Sequence, residues 1–562
     1  MLRHLQQNYY KKIDFIYIDP PYNTGSDGFV YPDSFEYDDE TLKNMFGLND
    51  EDLARMKSIQ GKSTHSAWLT FMYPRLYLAK KLLTDEGVIF VSIDDNEQAN
   101  LKLLMDDIFG EGNFVQSFIW HKKTQPSFLS KEVANIHEYI VAYRKNKSLK
   151  LKGGTTDPNK LVELLNISNP VSKRVLNKDD VVIKNGEFTG KLATGEYGNN
   201  KLSIILLKDV VVKSGKPMDD LILEGRFKWA QSTIDEAIDN GGNIEIKSIK
   251  TLRPTLDKNS QKINIKPPVS ILSKKLDDIP TNTDATNEIK KLFEGVSIFT
   301  NPKPSELLRY LIESKTFSDK NAKVLDFFAG SSTTADAVMQ LNAEDGGNRQ
   351  FIMCTLPEKT YTVNSNGKEV PTKGGKAAYD AGFKSIDEIS RERIRRASAK
   401  IQEEAEDLPE NFDGGFKHFR FVQPNKDTLD QLEFEDAIQQ DLFDDMISSF
   451  SSASLNLDGE ASGFDTILQT YLVKDNYPFD VQMDMLDIVG VDVPYVNEQR
   501  IYIITNNWEA AHTRELVNAI GTGKLIVQTI VVYGHTISME SLRELEIALK
   551  QLEQSVDMQV RY

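Results

Sequence analysis

Apolar residues along this chain gather in short runs that read as strands: Ile13 to Ile18, Val88 to Ile93, Glu138 to Tyr143, Lys323 to Leu325 and Gln350 to Cys354. Runs this short, bounded by turn formers, are the usual sequence appearance of buried strands. Helical spacing fills the stretches between them. Leu69, Met72, Leu76 and Leu83 recur near the helical period in a stretch around Trp68 to Leu83, and Leu2 to Tyr9, Ser305 to Glu313 and Ala335 to Leu341 read as further helices. Strand alternating with helix predicts an α/β fold. Near the C-terminus, Ile501 to Thr505 and Leu525 to Tyr533 read as strands, and Leu542, Leu545, Leu549 and Leu552 fall on one helical face. That pattern predicts a small α/β domain whose helix packs either on its own sheet or against another subunit.

Composition adds limits. A chain of 562 residues exceeds what one hydrophobic core organises, so several domains are expected. No apolar run is long enough to span a bilayer and no secretory pattern opens the sequence, so a cytoplasmic location is expected. The single cysteine, Cys354, sits in the strand-like Ile352-Met353-Cys354-Thr355. It excludes an internal disulfide framework and a cysteine-based metal cluster, and no metal is implied. It also reads as a core residue, so the nucleophilic cysteine that methylation at carbon 5 of cytosine needs is missing.

Charge is unevenly placed. Residues 121 to 300 carry about +8 within a chain total of −17, leaving about −25 for the rest. The middle third is therefore the candidate surface for a polyanion, with Lys122, Lys123, Arg144 and Lys145 as the first candidates and Lys173-Arg174, Lys247 to Arg253 and Lys262 to Lys266 beyond them.

Two motifs carry the candidate chemistry. Asp19-Pro20-Pro21-Tyr22 closes the first strand and delivers a carboxylate and an aromatic ring into a turn whose prolines fix φ. A planar amine held by Asp19 and a proline carbonyl, with its ring stacked on Tyr22, would be fixed from three directions. Far downstream, the strand Lys323 to Leu325 runs into Asp326-Phe327-Phe328-Ala329-Gly330-Ser331-Ser332 and then a helix. Strand, small-residue turn and helix in that order present backbone N–H groups to a ligand, as in doubly wound nucleotide-binding folds.

With these motifs the chain resembles the S-adenosylmethionine-dependent amino-methyltransferases of DNA. The downstream loop matches their Phe-x-Gly-x-Gly pattern at Phe328 and Gly330 and departs from it at Ser332, where a side chain stands in place of the last glycine. The motif order is that of the permuted beta class. The likeness is closer to the modification (Mod) subunits of type III restriction-modification systems, through Asp-Pro-Pro-Tyr-Asn-Thr-Gly, Val91-Ser92-Ile93-Asp94-Asp95-Asn96-Glu97, Phe109-Gly110, Asn301-Pro302-Lys303-Pro304 and Arg393-Ile394-Arg395-Arg396. It covers most of residues 11 to 145 and 296 to 400. Relatives carry a strand and further residues ahead of the first motif, so the resemblance implies a sequence that starts late.

The resemblance implies a Rossmann-like methyltransferase domain in permuted motif order, with an inserted target-recognition domain and a small C-terminal α/β domain. Residues 1–120 form the catalytic half and 121–295 the recognition region, with the first half ending near 121–146. Residues 296–400 form the cofactor-binding half, 401–480 an acidic linker and 481–562 an assembly domain. Asp19, Pro20, Pro21 and Tyr22 are then catalytic. Asp326, Phe328, Ala329, Gly330, Ser331 and Ser332 hold S-adenosylmethionine, with Lys303 on its carboxylate and Glu358 on its ribose hydroxyls. The implied substrate is the N6 amine of adenine in double-stranded DNA, flipped from the helix, with stacking on Tyr22 contributing ~1–3 kcal/mol. Homodimers that recruit an ATP-dependent restriction subunit are implied too, since the 562 residues hold no Gly-x-x-x-x-Gly-Lys-Ser/Thr loop. The cytosine N4 amine, a catalytically silent recognition subunit, a methyltransferase acting alone and one acting on RNA or a small molecule are the competing readings.

Overall fold

The computed structural model describes all residues except 25–42, 44–48, 59–63, 127–132, 147, 156–160, 185–187, 200–201, 258–264, 422–445 and 456–458. Much of the Lys262–Lys266 run lies outside the described residues. The chain divides into two compact units, one made of Met1–Leu149, Ser270–Ile312 and Ser318–Tyr562 and the other of Lys150–Val269 with Glu313–Phe317.

The first unit is built on a seven-stranded sheet. In chain order its elements are α1 (Leu2–Tyr9), β1 (Ile13–Ile18), α2 (Thr64–Leu82), β2 (Leu83–Ile93), α3 (Gln98–Phe109), β3 (Phe114–His121), β4 (His137–Arg144), β5 (Ile271–Leu272), α4 (Asn282–Leu292), α5 (Ser305–Thr316), β6 (Lys323–Asp326), α6 (Thr333–Asp345), β7 (Gln350–Met353) and α7 (Ile386–Glu404). The strands lie in the order β5-β3-β4-β2-β1-β6-β7. β1 runs parallel to both β2 and β6, with Phe15 beside Val324 and Val88. β4 runs antiparallel to β2, pairing Ile93 with Tyr139 and Val88 with Arg144.

Those directions position the site. The C-terminal ends of β1, β2 and β6 and the start of β4 all meet one edge of the sheet, so Asp19, Asp94, Phe327 and Glu138 emerge together. The chain reverses its order across the sheet between β1 and β6, the place where open α/β sheets bind ligands. Burial on both faces explains why β1 reads as one apolar run: Ile13, Phe15, Ile16 and Ile18 are each at most 1% exposed. One face packs on Trp68, Met72 and Leu76 of α2 and Leu101 and Met105 of α3. Behind β7, Ala335 and Met339 of α6 meet Ile394 and Ala397 of α7.

Boundaries differ from the sequence reading at the recognition region. Residues 121–149 and 270–295 belong to the first unit and 150–269 form the body of the second. β5 pairs with Ile119 and Trp120 of β3, and a capping box of Thr281 with Asp284 starts α4, a local stop and start signal that a charge count overlooks. The second unit has its own core around Leu176, Ile204, Leu206, Leu223, Ile244 and Leu256. Its strand Val210–Lys213 alternates buried and exposed positions, as a sheet with one wet face requires.

At the C-terminal end of the first unit, α8 (Gly463–Lys474), β8 (Met483–Ile488), β9 (Val491–Val496), β10 (Arg500–Ile503), α9 (Ala510–Gly521), β11 (Thr529–Tyr533), α10 (Met539–Lys550) and β12 (Asp557–Arg561) form a further α/β body. Its five strands follow chain order. Leu542, Leu545 and Leu549 share a core with Ile501, Ile503 and Ile530, so α10 packs on its own sheet. α8 packs Leu468, Tyr471 and Leu472 against Tyr502 and Val531, although the sequence reading left it inside the acidic linker. Among the described residues no helix is long and apolar enough to cross a membrane.

Candidate active site

Asp19-Pro20-Pro21-Tyr22 turns off the end of β1 and is held from both sides. The Trp68 indole N–H donates to the Pro21 carbonyl at 2.7 Å. Asn23, next in sequence, adopts a left-handed φ of 59°, a conformation that Asn tolerates better than most residues. Its side chain donates to the fully buried Glu97 carboxylate, which also meets His65 Nδ1 at 2.7 Å and accepts from Asn100 at 2.8 Å.

Four charged groups crowd around the turn. The Tyr22 hydroxyl donates to Asp19 Oδ1 at 2.7 Å and lies 3.2 Å from Glu138 Oε2. Lys303 Nζ donates to Asp19 Oδ2 at 2.8 Å and stands 3.0 Å from the Tyr22 hydroxyl and 3.5 Å from Glu138 Oε2. Lys122 Nζ donates to Glu138 Oε1 at 3.1 Å. Burial opposes the charge on Lys303, yet the Asp19 and Glu138 carboxylates outweigh it and hold the ammonium pKa above the ordinary lysine range. Burial likewise pushes the Glu138 carboxyl up, and Lys303 and Lys122 more than reverse that, leaving it below the usual carboxylate range. The Tyr22 hydroxyl is raised well above its ordinary value by burial and by the Asp19 and Glu138 charges, so it remains a donor.

The second motif turns off the end of β6. Asp326 does not face the cavity: its carboxylate is buried beneath the loop, accepting the Phe328 N–H at 3.0 Å and the Thr334 hydroxyl at 2.7 Å. Gly330 has φ of 50°, and a Cβ there would come within 3.2 Å of the Phe299 ring. Ser332 also has a positive φ, 59°, which explains why the general pattern carries glycine at that place. Its hydroxyl meets that of Ser390. Behind the loop the fully buried Arg393 guanidinium donates to Ser331 Oγ at 3.2 Å, Thr333 Oγ1 at 2.7 Å and Glu288 at 2.8 Å. A buried arginine with this many acceptors acts as a strut for the turn.

Burial raises the Asp326 pKa to about 7, since two hydrogen bonds do not offset the loss of water. The folded chain therefore keeps a proton that an unfolded aspartate loses near pH ~4, and stability falls as pH rises across that window by at most about 1.4 kcal/mol per unit. Asp326→Asn is expected to remove this slope. In thermal melts from about pH 4.5 to about pH 7.5 the variant should gain on the parent chain as pH rises; parallel curves would show Asp326 ionised throughout.

Both motifs open on one cavity of about 960 Å³. Asp19, Pro20, Pro21, Tyr22, Lys303, Phe328, Gly330 and Glu358 line it, as do Lys122 and Lys123. Ala329, Ser331 and Ser332 support the loop from behind, Ala329 through its N–H to the Cys354 carbonyl at 3.1 Å. Cys354 is buried, with its thiol pushed up to about 12 by desolvation. Lys303 lines the cavity, and its ammonium pairs there with the Asp19 and Glu138 carboxylates. Lys145 is corrected: it is buried and donates to the Leu83 carbonyl at 2.6 Å, so it contacts no phosphate. Arg144 lies at the opposite end of the strands from Asp19, paired with Val88, and donates to the Gly112 carbonyl at 2.7 Å. Glu138 was missed as a site residue, although an acid opening an otherwise apolar strand was its visible signal. Among the described residues no group of three or more His, Cys, Asp or Glu is placed to hold a metal ion.

A family model described as DNA methylase matches residues 13–365, and one described as the type III R-M EcoP15I C-terminal domain matches residues 462–558. The chain is 42% identical to the type III restriction-modification enzyme StyLTI Mod subunit of Salmonella typhimurium, covering 100% of this chain and 82% of the relative. It is 31% identical to the EcoPI Mod subunit of Escherichia phage P1, covering 98% and 81%, and 31% identical to the EcoP15I Mod subunit of Escherichia coli, again covering 98% and 81%.

Proposed function

The chain belongs to the DNA methylase family and, within it, to the Mod subunits of type III restriction-modification enzymes, and on that premise we propose that it methylates the N6 amine of adenine at a specific site in double-stranded DNA. One observation carries the reading: neighbouring strands β1 and β6 bring Asp-Pro-Pro-Tyr and the Gly330 loop to the same cavity. The cavity fits S-adenosylmethionine, since Gly330 keeps the loop clear of a side chain where Phe299 and Phe328 form the wall and Glu358 stands exposed at the rim. When bound, this cofactor supplies an electrophilic methyl group.

The protein's part is to present the amine. The adenine amine is a poor nucleophile because its lone pair is delocalised into the ring. Hydrogen bonds from its two protons to Asp19 and the Pro20 carbonyl localise that pair, while the Pro21 carbonyl is already engaged by Trp68. Asp19 accepts a proton only after the amine is methylated and has become acidic. Because the amine inside a duplex is out of reach, the base is flipped out and stacks on Tyr22. Sequencing that reads modified bases in DNA from a host expressing the chain tests this. Methylated adenine at one recurring sequence is expected, and N4-methylcytosine alone would move the assignment to the other amine.

Lys123, exposed at the cavity mouth, is our choice for a phosphate contact. Lys123→Glu should weaken DNA binding and reduce its salt slope by about 1, whereas Arg144→Ala should leave the slope unchanged. A salt titration in which both variants behave alike would remove this assignment. The protein works as a homodimer alongside a separate restriction subunit, and light scattering should give twice the monomer mass; a monomer would remove the dimer.

A further inference from the structure

Asp19 as it stands is an occupied acceptor. Oδ1 takes the Tyr22 hydroxyl at 2.7 Å and Oδ2 takes the Lys303 ammonium at 2.8 Å. A carboxylate has about four lone-pair sites, so an arriving amine can still donate to Asp19, but at Oδ2 it competes with the ammonium for the same oxygen. The ammonium is the harder to release, because Lys303 is only 9% exposed and a buried charge without a partner is strongly unfavourable.

A second carboxylate stands ready beside it. Glu138 Oε2 lies 3.5 Å from Lys303 Nζ, at the near edge of ion-pair distance and just beyond a good hydrogen bond. Its other oxygen is held by Lys122 at 3.1 Å, which fixes Oε2 toward Lys303. A short shift of the ammonium would exchange one carboxylate for the other without leaving the ammonium unpaired, while Asp19 keeps the Tyr22 hydrogen bond and takes that of the amine. Glu138 sits at the start of the strand β4, whose pairing with β2 through Ile93 and Tyr139 sets its place near the end of β1.

Resting on the adenine-amine reading above, we propose that Glu138 is a positioning residue that receives Lys303 from Asp19 as the target base enters, freeing Asp19 Oδ2 for the amine. The sequence separates these groups by more than a hundred residues, and the sheet brings them together. Glu138 itself touches neither base nor cofactor in this scheme.

The test is a double-variant cycle on the full chain, read as single-turnover methyl transfer to duplex DNA together with equilibrium S-adenosylmethionine binding. Glu138→Gln should slow transfer about 100-fold with cofactor affinity unchanged within about threefold, as expected for misplacement of a reacting group. Glu138→Asp should recover about tenfold of that loss, and so should Lys303→Met added to Glu138→Gln, because an Asp19 that carries no ammonium needs no receiver. A merely structural Glu138 predicts no recovery from a second deletion in the same cluster. Transfer at the parent rate in Glu138→Gln, or a double variant no faster than Glu138→Gln, overturns the proposal. If Glu138→Gln does not fold, the comparison is made on the Lys303→Met background, where replacing Glu138 should change the rate by less than about threefold and a larger drop overturns the proposal. Failure of the parent chain to methylate adenine would instead remove the underlying reading, and is distinguished by being seen without any substitution.

Discussion

Asp19→Ala should lower methyl transfer by at least about 10³-fold, the range expected when a group that accepts the reacting proton is lost, and Tyr22→Ala by up to about 10²-fold through loss of base stacking. Cofactor affinity should stay within a few-fold in both, because these side chains contact the base. The fold should survive Asp19→Ala, since Glu138 remains 3.5 Å from Lys303 and keeps the buried ammonium paired. Tritiated-methyl transfer measured beside equilibrium cofactor binding checks the outcome. Retained transfer in Asp19→Ala would overturn the assignment of the carboxylate.

Gly330→Val should abolish S-adenosylmethionine binding in a chain that still folds. At φ of 50° a branched side chain is strained, and its Cβ would begin within 3.2 Å of the Phe299 ring. Strain of this kind costs about 1–3 kcal/mol, less than the roughly 5–15 kcal/mol that holds a domain together. The loop is further secured by Arg393 and Asp326, whose bonds the substitution leaves in place. Calorimetry showing unchanged affinity in a folded variant would place the pocket elsewhere.

How much of this was legible in the sequence depended on how local each signal was. β1 and β6 could be read because buried strands are apolar throughout, and the turns after them because proline and glycine punctuate the chain. β3 escaped notice, since Phe114–His121 mixes Gln, Ser and His among its apolar residues and only Phe118 and Trp120 are buried. α3 was passed over as well, although its motif-bearing neighbours were noted. The ionic partner of Asp19 was out of reach for a different reason: Lys303 lies 284 residues away, and only the fold brings it close. Lys145 shows the opposite failure. In a basic run it reads as a solvated lysine, yet its ammonium is tucked against the Leu83 carbonyl at the far sheet edge.

The lone thiol supplies the chain with a built-in clock for opening of its ligand cavity. Cys354 is the only sulfhydryl in the sequence, it is 6% exposed, and its carbonyl holds the Ala329 N–H of the cofactor loop. With the pKa pushed up to about 12 by desolvation, little of the closed state is thiolate at neutral pH. Cys354 lines the cavity, so alkylation by a maleimide is slow while the cavity is closed around it and faster wherever the end of β7 loosens from the loop. A ligand that binds across the Gly330 turn would slow the reaction in proportion to its occupancy.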